Sequence, residues 1–322
     1  MSKGADTGRL LTRDGRPGIL PPPSLDRMPG EMTRLLFLVF SRCSLPTLQG
    51  IGNFLGWCLW TFRTSRRLVA IRHVERCFPD WPREEQLRVA RESLKHEMKT
   101  LTELPLVWLG PNERVAALVQ EVRGGELVEQ ALARGKGLIL LTLHQGSFEG
   151  VGIPFSIDHV ITGVYKPQKG AFESLSRQGR TRYKGRLVPA VGGTVRQKAV
   201  ESLAREEIVY ILPDQDPPRG RGEFVPFFGH PAHTATLTSK LIQESGAPAL
   251  FFVGERLPHG RGFIMHVLAP DEGHDSPDLQ TSLQAINRSI ERCVQLCPDQ
   301  YWWGYKRFRR QPEGAPDFYA GC

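Results

Sequence analysis

The six cysteines, Cys43, Cys58, Cys77, Cys293, Cys297 and Cys322, include no Cys-x-x-Cys pair and no zinc-type spacing. That excludes a dithiol redox centre and a structural zinc site of the usual kinds. Cys293 and Cys297 lie four apart on an expected helix, a spacing that fits core packing better than a ligand pair. No cleavable signal pattern is present either, and the two absences together indicate a reducing, cytoplasm-facing environment. The chain has no internal repeat and no Gly-rich phosphate loop of either standard kind. It also lacks any apolar run near the ~20 residues that a membrane-spanning helix requires. Leu35–Phe40 and Ile51–Trp60 are the strongest candidates, and Arg42 and Pro46 interrupt them. An interfacial or re-entrant anchor fits these segments better than a span, with two amphipathic core helices as the alternative.

What is present is positive charge. The 322 residues carry 42 Lys+Arg against 34 Asp+Glu, a net +8, and the sequence pI is about 9.3. Such a balance indicates an anionic partner: nucleic acid, a phospholipid surface, a phosphorylated substrate or an acidic carrier protein. Charge alone does not choose among them. The length allows one large domain or two small ones, and 40% apolar residues suit an ordinary globular core.

Residues 1–30, rich in Gly, Pro and Arg and containing Pro21, Pro22 and Pro23, are expected to be a disordered leader. Residues 31–62 are expected to form a membrane-anchoring helical segment. Its aromatics Trp57 and Trp60 are followed by Arg63, Arg66, Arg67, Arg72 and Arg76. Apolar, then aromatic, then basic is the order of a segment held on an anionic membrane face. A solvated helix face is the plainer alternative. Pro82, Glu84 and Glu85 then open a helix with apolar positions at Leu87, Ala90, Leu94, Met98 and Leu101.

From about residue 124, short apolar runs alternate with helical patterns. Strands are expected at 138–143, 159–165, 186–189, 208–212, 250–254 and 263–268, with helices at 171–183, 194–205, 234–244 and 279–296. Alternation of this kind predicts an α/β fold with a mostly parallel central sheet flanked by helices, following the N-terminal membrane-associated helical segment.

Three strand exits carry candidate chemistry. The near-continuous apolar run Leu138–Leu143 reads as a strand buried on both faces, and it delivers His144 and then Glu149 at its carboxyl end. The spacing suggests a base–orienter pair, in which the imidazole takes a proton and the carboxylate fixes its tautomer. A hydrogen-bonded loop histidine is the structural alternative. The second exit carries Asp214 and Asp216 in a Pro/Gly loop with Arg219 and Arg221. Asp-x-Asp also holds a divalent metal in many glycosyltransferases, and a polar turn is the plain alternative. The third is Tyr165-Lys166-Pro167, followed by a helix with Arg177, Arg180, Arg182 and Lys184. Arg177, Arg180 and Lys184 are spaced to share one phosphate-receiving face. Ser147 follows Gly146, but Gly-Ser-x-x-Gly is not the nucleophile-elbow spacing of an α/β-hydrolase.

Taken together, these features resemble a family. They are His144-x4-Glu149, Tyr165-Lys166-Pro167, Pro213-Asp214-Gln215-Asp216-Pro217, Phe224-Val225-Pro226-Phe227-Phe228-Gly229, and the closing Gln300-Tyr301-Trp302-Trp303 with Arg307-Phe308. In this order the chain resembles the bacterial lipid A biosynthesis lauroyl/myristoyl acyltransferases of the lysophospholipid acyltransferase superfamily, from about Leu35 to Gly314. The resemblance implies a glycerolipid acyltransferase-like domain over 63–314, with a tail at 315–322. It implies transfer of a fatty acyl group from acyl carrier protein to a hydroxyl of a glycolipid acceptor, a lipid A precursor, without cofactor or metal, on the anionic cytoplasmic face of the inner membrane. An acyltransferase of the same fold acting on another glycolipid or a lysophospholipid is the alternative. Nucleic acid is then not the anionic partner. His144, Glu149, Arg180 and Asp214 become the expected catalytic residues, and Tyr165, Lys166, Arg182 and Asp216 the expected substrate-binding ones. Acyl transfer from a thioester needs only a base and donors for the oxyanion. A metal-dependent glycosyltransferase built on Asp214 and Asp216 would instead lose activity in excess EDTA, and a non-catalytic membrane-peripheral binding protein would transfer nothing.

Overall fold

The computed structural model describes residues 30–320 except 169 and 192; the expected leader lies outside the described residues. Seven strands form one sheet: β1 (Val119–Arg123), β2 (Leu138–Gly146), β3 (Ile161–Tyr165), β4 (Gly185–Pro189), β5 (Ile208–Ile211), β8 (Ala249–Arg256) and β9 (Phe263–Leu268). Their order is β1-β9-β8-β2-β5-β3-β4. Every pairing is parallel except β8 with β9. The mostly parallel α/β sheet is therefore as expected. β2 lies at its centre, and Leu138, Ile139, Leu140 and Leu141 are each 0% exposed. Side chains on both faces are covered, which is why this strand reads as an unbroken apolar run.

Two regions depart from the expected elements. The helix expected at 234–244 begins later, as α10 (Leu237–Ser245), because His230–Ala235 is the strand β7. It pairs antiparallel with β6 (Gly222–Phe227) in a separate hairpin. Pro226 and Pro231 face each other across that hairpin, and proline's poor fit to a strand hid it from the sequence pattern. β1 was also missed, since its pattern of exposed polar residues belongs to a sheet edge.

Helices cover both faces of the sheet. The longest is α4 (Arg83–Leu109), which contains Pro105, and α11 (Leu279–Leu296) starts on the side-chain cap of Asp278. Cys293 and Cys297 are buried in the core, in keeping with a packing role. Phe318 and Tyr319, in the segment expected to be a tail, also join that core.

The N-terminal segment forms α1 (Glu31–Phe40) and α2 (Leu45–Thr61), followed by α3 (Ser65–Cys77). Among the described residues no helix is long and apolar enough to cross a membrane. α1 and α2 nevertheless leave Met32, Leu35, Leu36, Val39, Phe54, Trp57 and the adjoining Phe62 exposed. The inner face of α1 has a different task. Phe37 stacks against Trp108 at 6.0 Å and meets Phe172 edge-on at 6.2 Å.

The arginines after α2 are mostly engaged within the protein. Arg67 lies over Trp60 and donates to its carbonyl, Arg72 donates to the carbonyl of Ala320, and Arg76 lies over Phe318. The run thus ties α3 to its neighbours and to the C-terminal segment.

Candidate active site

β2 ends where its sequence requires a sharp exit. Gly146 has φ 55°, and a Cβ there would stand 1.9 Å from the carbonyl oxygen of Gly254. Only glycine allows the chain to leave β8 at this point and enter α7 (Phe148–Phe155). His144 is thereby left at the carboxyl edge of the sheet, and Glu149 falls in the first turn of α7. β5 leads in the same way into the loop that carries Asp214.

The carboxylate that orients His144 is Asp214. His144 Nδ1 lies 2.9 Å from Asp214 Oδ1, and the His144 backbone N–H donates to Oδ2 at 3.0 Å. One buried carboxylate thus holds both the ring and the backbone of the histidine. An ionised carboxylate accepts, so the proton sits on Nδ1 and Nε2 keeps its lone pair. Burial alone raises the Asp214 pKa, but the charge and hydrogen bonds of His144, together with Arg307, bring it below the ordinary carboxylate value.

Glu149, expected to orient His144, does something else. Its Oε1 accepts from Arg180 Nε at 2.9 Å and Nη2 at 2.6 Å, and its Oε2 accepts from Trp108 Nε1 at 3.2 Å. The five-residue separation crosses the strand–helix turn, so the two side chains leave on different elements and meet different partners. Burial disfavours the charged Arg180, yet the Glu149 carboxylate more than compensates and raises the guanidinium pKa. Close packing builds this arrangement: a Cβ on Gly179 would lie 2.2 Å from Trp108 Cγ. That glycine lets α8 (Ala171–Arg180) approach α4 closely enough for Arg180 to reach Glu149.

These groups line a cavity of about 550 Å³, within the ~300–1,000 Å³ of small-molecule sites. His144, Glu149, Arg180, Tyr165 and Lys166 all border it, as do apolar side chains such as Leu104, Phe172 and Ile153. Arg180, with its side chain 26% exposed, is more enclosed than the cavity's other arginine, Arg186, at 54%. The Tyr165 hydroxyl donates to Glu173 and accepts from Arg177.

Other expected binding residues are elsewhere. Arg182 donates to the carbonyls of Val107 and Gly110 and to Asn112, so it anchors the end of α4 instead of lining the cavity. Asp216 has a fully buried side chain held by His233, Arg309 and Arg310. Its oxygens are occupied by protein partners, and it does not border the cavity. The basic face expected of Arg177, Arg180 and Lys184 does not form. α8 ends at Arg180, and Lys184, beyond it, donates to the carbonyl of Asp158. Ser147 is buried and donates to Glu103, which in turn pairs with Arg256. It is a packing residue with no access to the cavity.

Sequence reasoning also missed two residues that shape the site. Trp108 supplies the indole that holds Glu149. Trp302 comes from the closing motif: Tyr301 bridges Gln145, and the Trp302 N–H donates to the carbonyl of His144 at 3.0 Å. The chain's end is thus stitched to the exit of β2, with the Trp302 ring 5.2 Å from that of His144. The clustering of aromatics near residue 302 was the available signal.

At the carboxyl edge of an open α/β sheet, where ligands usually bind, a carboxylate-held imidazole thus borders a largely apolar cavity. Comparison with known proteins gives the family. The profile described as "Bacterial lipid A biosynthesis acyltransferase" matches residues 35–310, and the chain belongs to that family. Over 276 residues the chain is 28% identical to a lipid A biosynthesis lauroyltransferase of Escherichia coli (strain K12), covering 85% of this chain and 89% of that protein. A lipid A biosynthesis palmitoleoyltransferase of the same organism is 26% identical with the same coverage. A myristoyltransferase of the pathway, also from Escherichia coli (strain K12), is 22% identical over 84% of this chain and 82% of its own length. The protein is an acyltransferase of lipid A biosynthesis, and its family implies a lipid A precursor as substrate.

Proposed function

We propose that this enzyme transfers a fatty acyl group from the thioester of acyl carrier protein to a hydroxyl of a lipid A precursor, with His144 as general base. Nε2 of His144 removes the proton of the acceptor hydroxyl as its oxygen attacks the thioester carbonyl. The C–O bond forms, the C–S bond breaks, and the leaving thiolate takes the proton back from the imidazolium. Asp214 holds the ring in the required tautomer and stabilises its charged form. Arg180, fixed by Glu149 and Trp108, donates to the oxyanion that develops on the carbonyl. Tyr165 and Lys166 border the path of the substrate.

The observation that carries this reading is the His144–Asp214 pair at 2.9 Å opening on the apolar cavity. The exposed apolar faces of α1 and α2 support action at the cytoplasmic face of the inner membrane. Phe37 of α1 packs on Trp108 and Phe172, both of which border the cavity, so the membrane-facing element adjoins the acyl site. Mass spectrometry of the lipid A fraction from cells with and without the gene tests the proposal. The expected result is loss of one secondary acyl chain, and an unchanged lipid A profile would refute it.

A further inference from the structure

Behind Trp302 lies a second cavity, of about 310 Å³, lined by Ser65, Arg66, Glu97, Trp302, Lys306 and Arg309 among others. Trp302 borders both cavities. One indole therefore separates this space from the His144 ring, 5.2 Å from its own.

The second cavity is bordered by cationic side chains. Three cations border it, against the single carboxylate of Glu97, whose Oε1 is already paired with Arg66. Lys306 lies over the Tyr319 ring at 5.0 Å. Arg309 shares Asp216 with Arg310 and His233. α3 begins here with no acidic residue in its first turn and no side-chain cap, because the Thr64 hydroxyl donates instead to the carbonyl of Leu59. A helix N-terminus left open beside arginine and lysine favours an anion.

Two polar atoms of residues that border the cavity are buried without partners. They are Nε1 of Trp302 and Oε2 of Glu97, the latter on a residue only 2% exposed.

Resting on the acyl-transfer reading above, we infer that this cavity binds a phosphate monoester on the sugar headgroup of the acceptor. A phosphate on the sugar that carries the reacting chain lies near the reacting hydroxyl, as the one-indole separation requires. The phosphate of a pantetheine arm is held far from its thioester by the length of the arm. The site also answers where acceptor phosphate goes once the basic face on α8 is found not to form.

The test is Lys306→Gln/Arg309→Gln. Acyl transfer is measured with a phosphorylated glucosamine-disaccharide acceptor and with the same acceptor after phosphatase treatment, and equilibrium binding of both is measured separately. The expected result is that the wild-type preference for the phosphorylated acceptor, in kcat/KM and in Kd, falls about tenfold in the variant, the loss of one charge-assisted contact. The KM for the acyl donor stays as in wild type. An unchanged preference overturns the inference and leaves the acyl-transfer reading standing. A rise in donor KM with acceptor preference intact assigns the cations to the donor and also overturns it. A wild-type protein that transfers to neither acceptor refutes the acyl-transfer reading, while the Kd ratio still decides this site.

Discussion

Two histidine–aspartate pairs hang from one loop, two residues apart. His144 meets Asp214 at 2.9 Å and His233 meets Asp216 at 2.8 Å. The hydrogen bonds are the same, but the surroundings are not. The His144 side chain is 18% exposed and borders the large cavity, whereas the side chains of the second pair are 7% and 0% exposed, and Asp216 is further engaged by Arg309 and Arg310. The first pair leaves one ring nitrogen accessible to a substrate. The second fastens the β6–β7 hairpin to the C-terminal segment. Access and neighbouring groups, not the hydrogen bond itself, distinguish the two pairs.

The largest expected effect tests this contrast directly. His144→Ala is expected to lower acyl transfer by at least the ~10²–10⁴-fold typical of general acid–base catalysis, with folding intact by circular dichroism. His233→Ala is expected to do the reverse. It costs about 1–3 kcal/mol of stability from buried polar groups left unpaired, while transfer per folded molecule is retained. Equal loss of turnover in both variants would remove the distinction.

A second contrast sets Glu149–Arg180 beside the arginine pairs of Asp216. If Glu149 acts by holding Arg180 and not by orienting His144, then Glu149→Ala and Arg180→Ala each lower transfer by about 10²-fold, the scale of one lost oxyanion donor. The double variant is then no worse than the poorer single one. Multiplying losses in a double-mutant cycle would show that the two residues act separately.

A third contrast concerns a histidine whose ring nitrogens meet no carboxylate. His73 is buried, with Nδ1 2.6 Å from the carbonyl oxygen of Trp303 and Nε2 2.7 Å from the Tyr319 hydroxyl. Burial, aided by the charge of Arg307 and opposed by the Trp303 carbonyl, lowers its pKa from 6.5 to about 4. The unfolded chain therefore takes up the proton first as pH falls. Stability is full above pH 6.5 and declines toward pH 4, by up to about 3 kcal/mol. The thermal midpoint measured across that window should fall, and His73→Gln should flatten the slope; an unchanged slope would show that other groups carry the pH dependence.

Much of the scaffold was legible because its signals are local. Leu138–Leu143 is apolar on both faces because β2 is covered on both faces, and the spacing of 279–296 is that of an amphipathic helix with a capping Asp278. The β6–β7 hairpin was not legible, since its two prolines argue against a strand until one sees them paired at an edge. His144 and Asp214 were visible as candidates because both follow apolar strands. Their pairing was not visible, because they lie 70 residues apart and meet only where β2 and β5 run side by side.

The α/β class, the central strand, the histidine at its exit and the apolar N-terminal helices all follow from periodicity and composition over a few residues. Which carboxylate meets that histidine depends on how distant strands are brought together. Glu149 is near His144 in the chain, but the strand–helix turn sends it to Arg180 and Trp108. Asp214 is distant in sequence and adjacent in space, because parallel strands deliver their exits to the same edge of the sheet. The same closure brings Trp302 against His144 and separates the apolar cavity from the cationic one, an arrangement written in no local pattern.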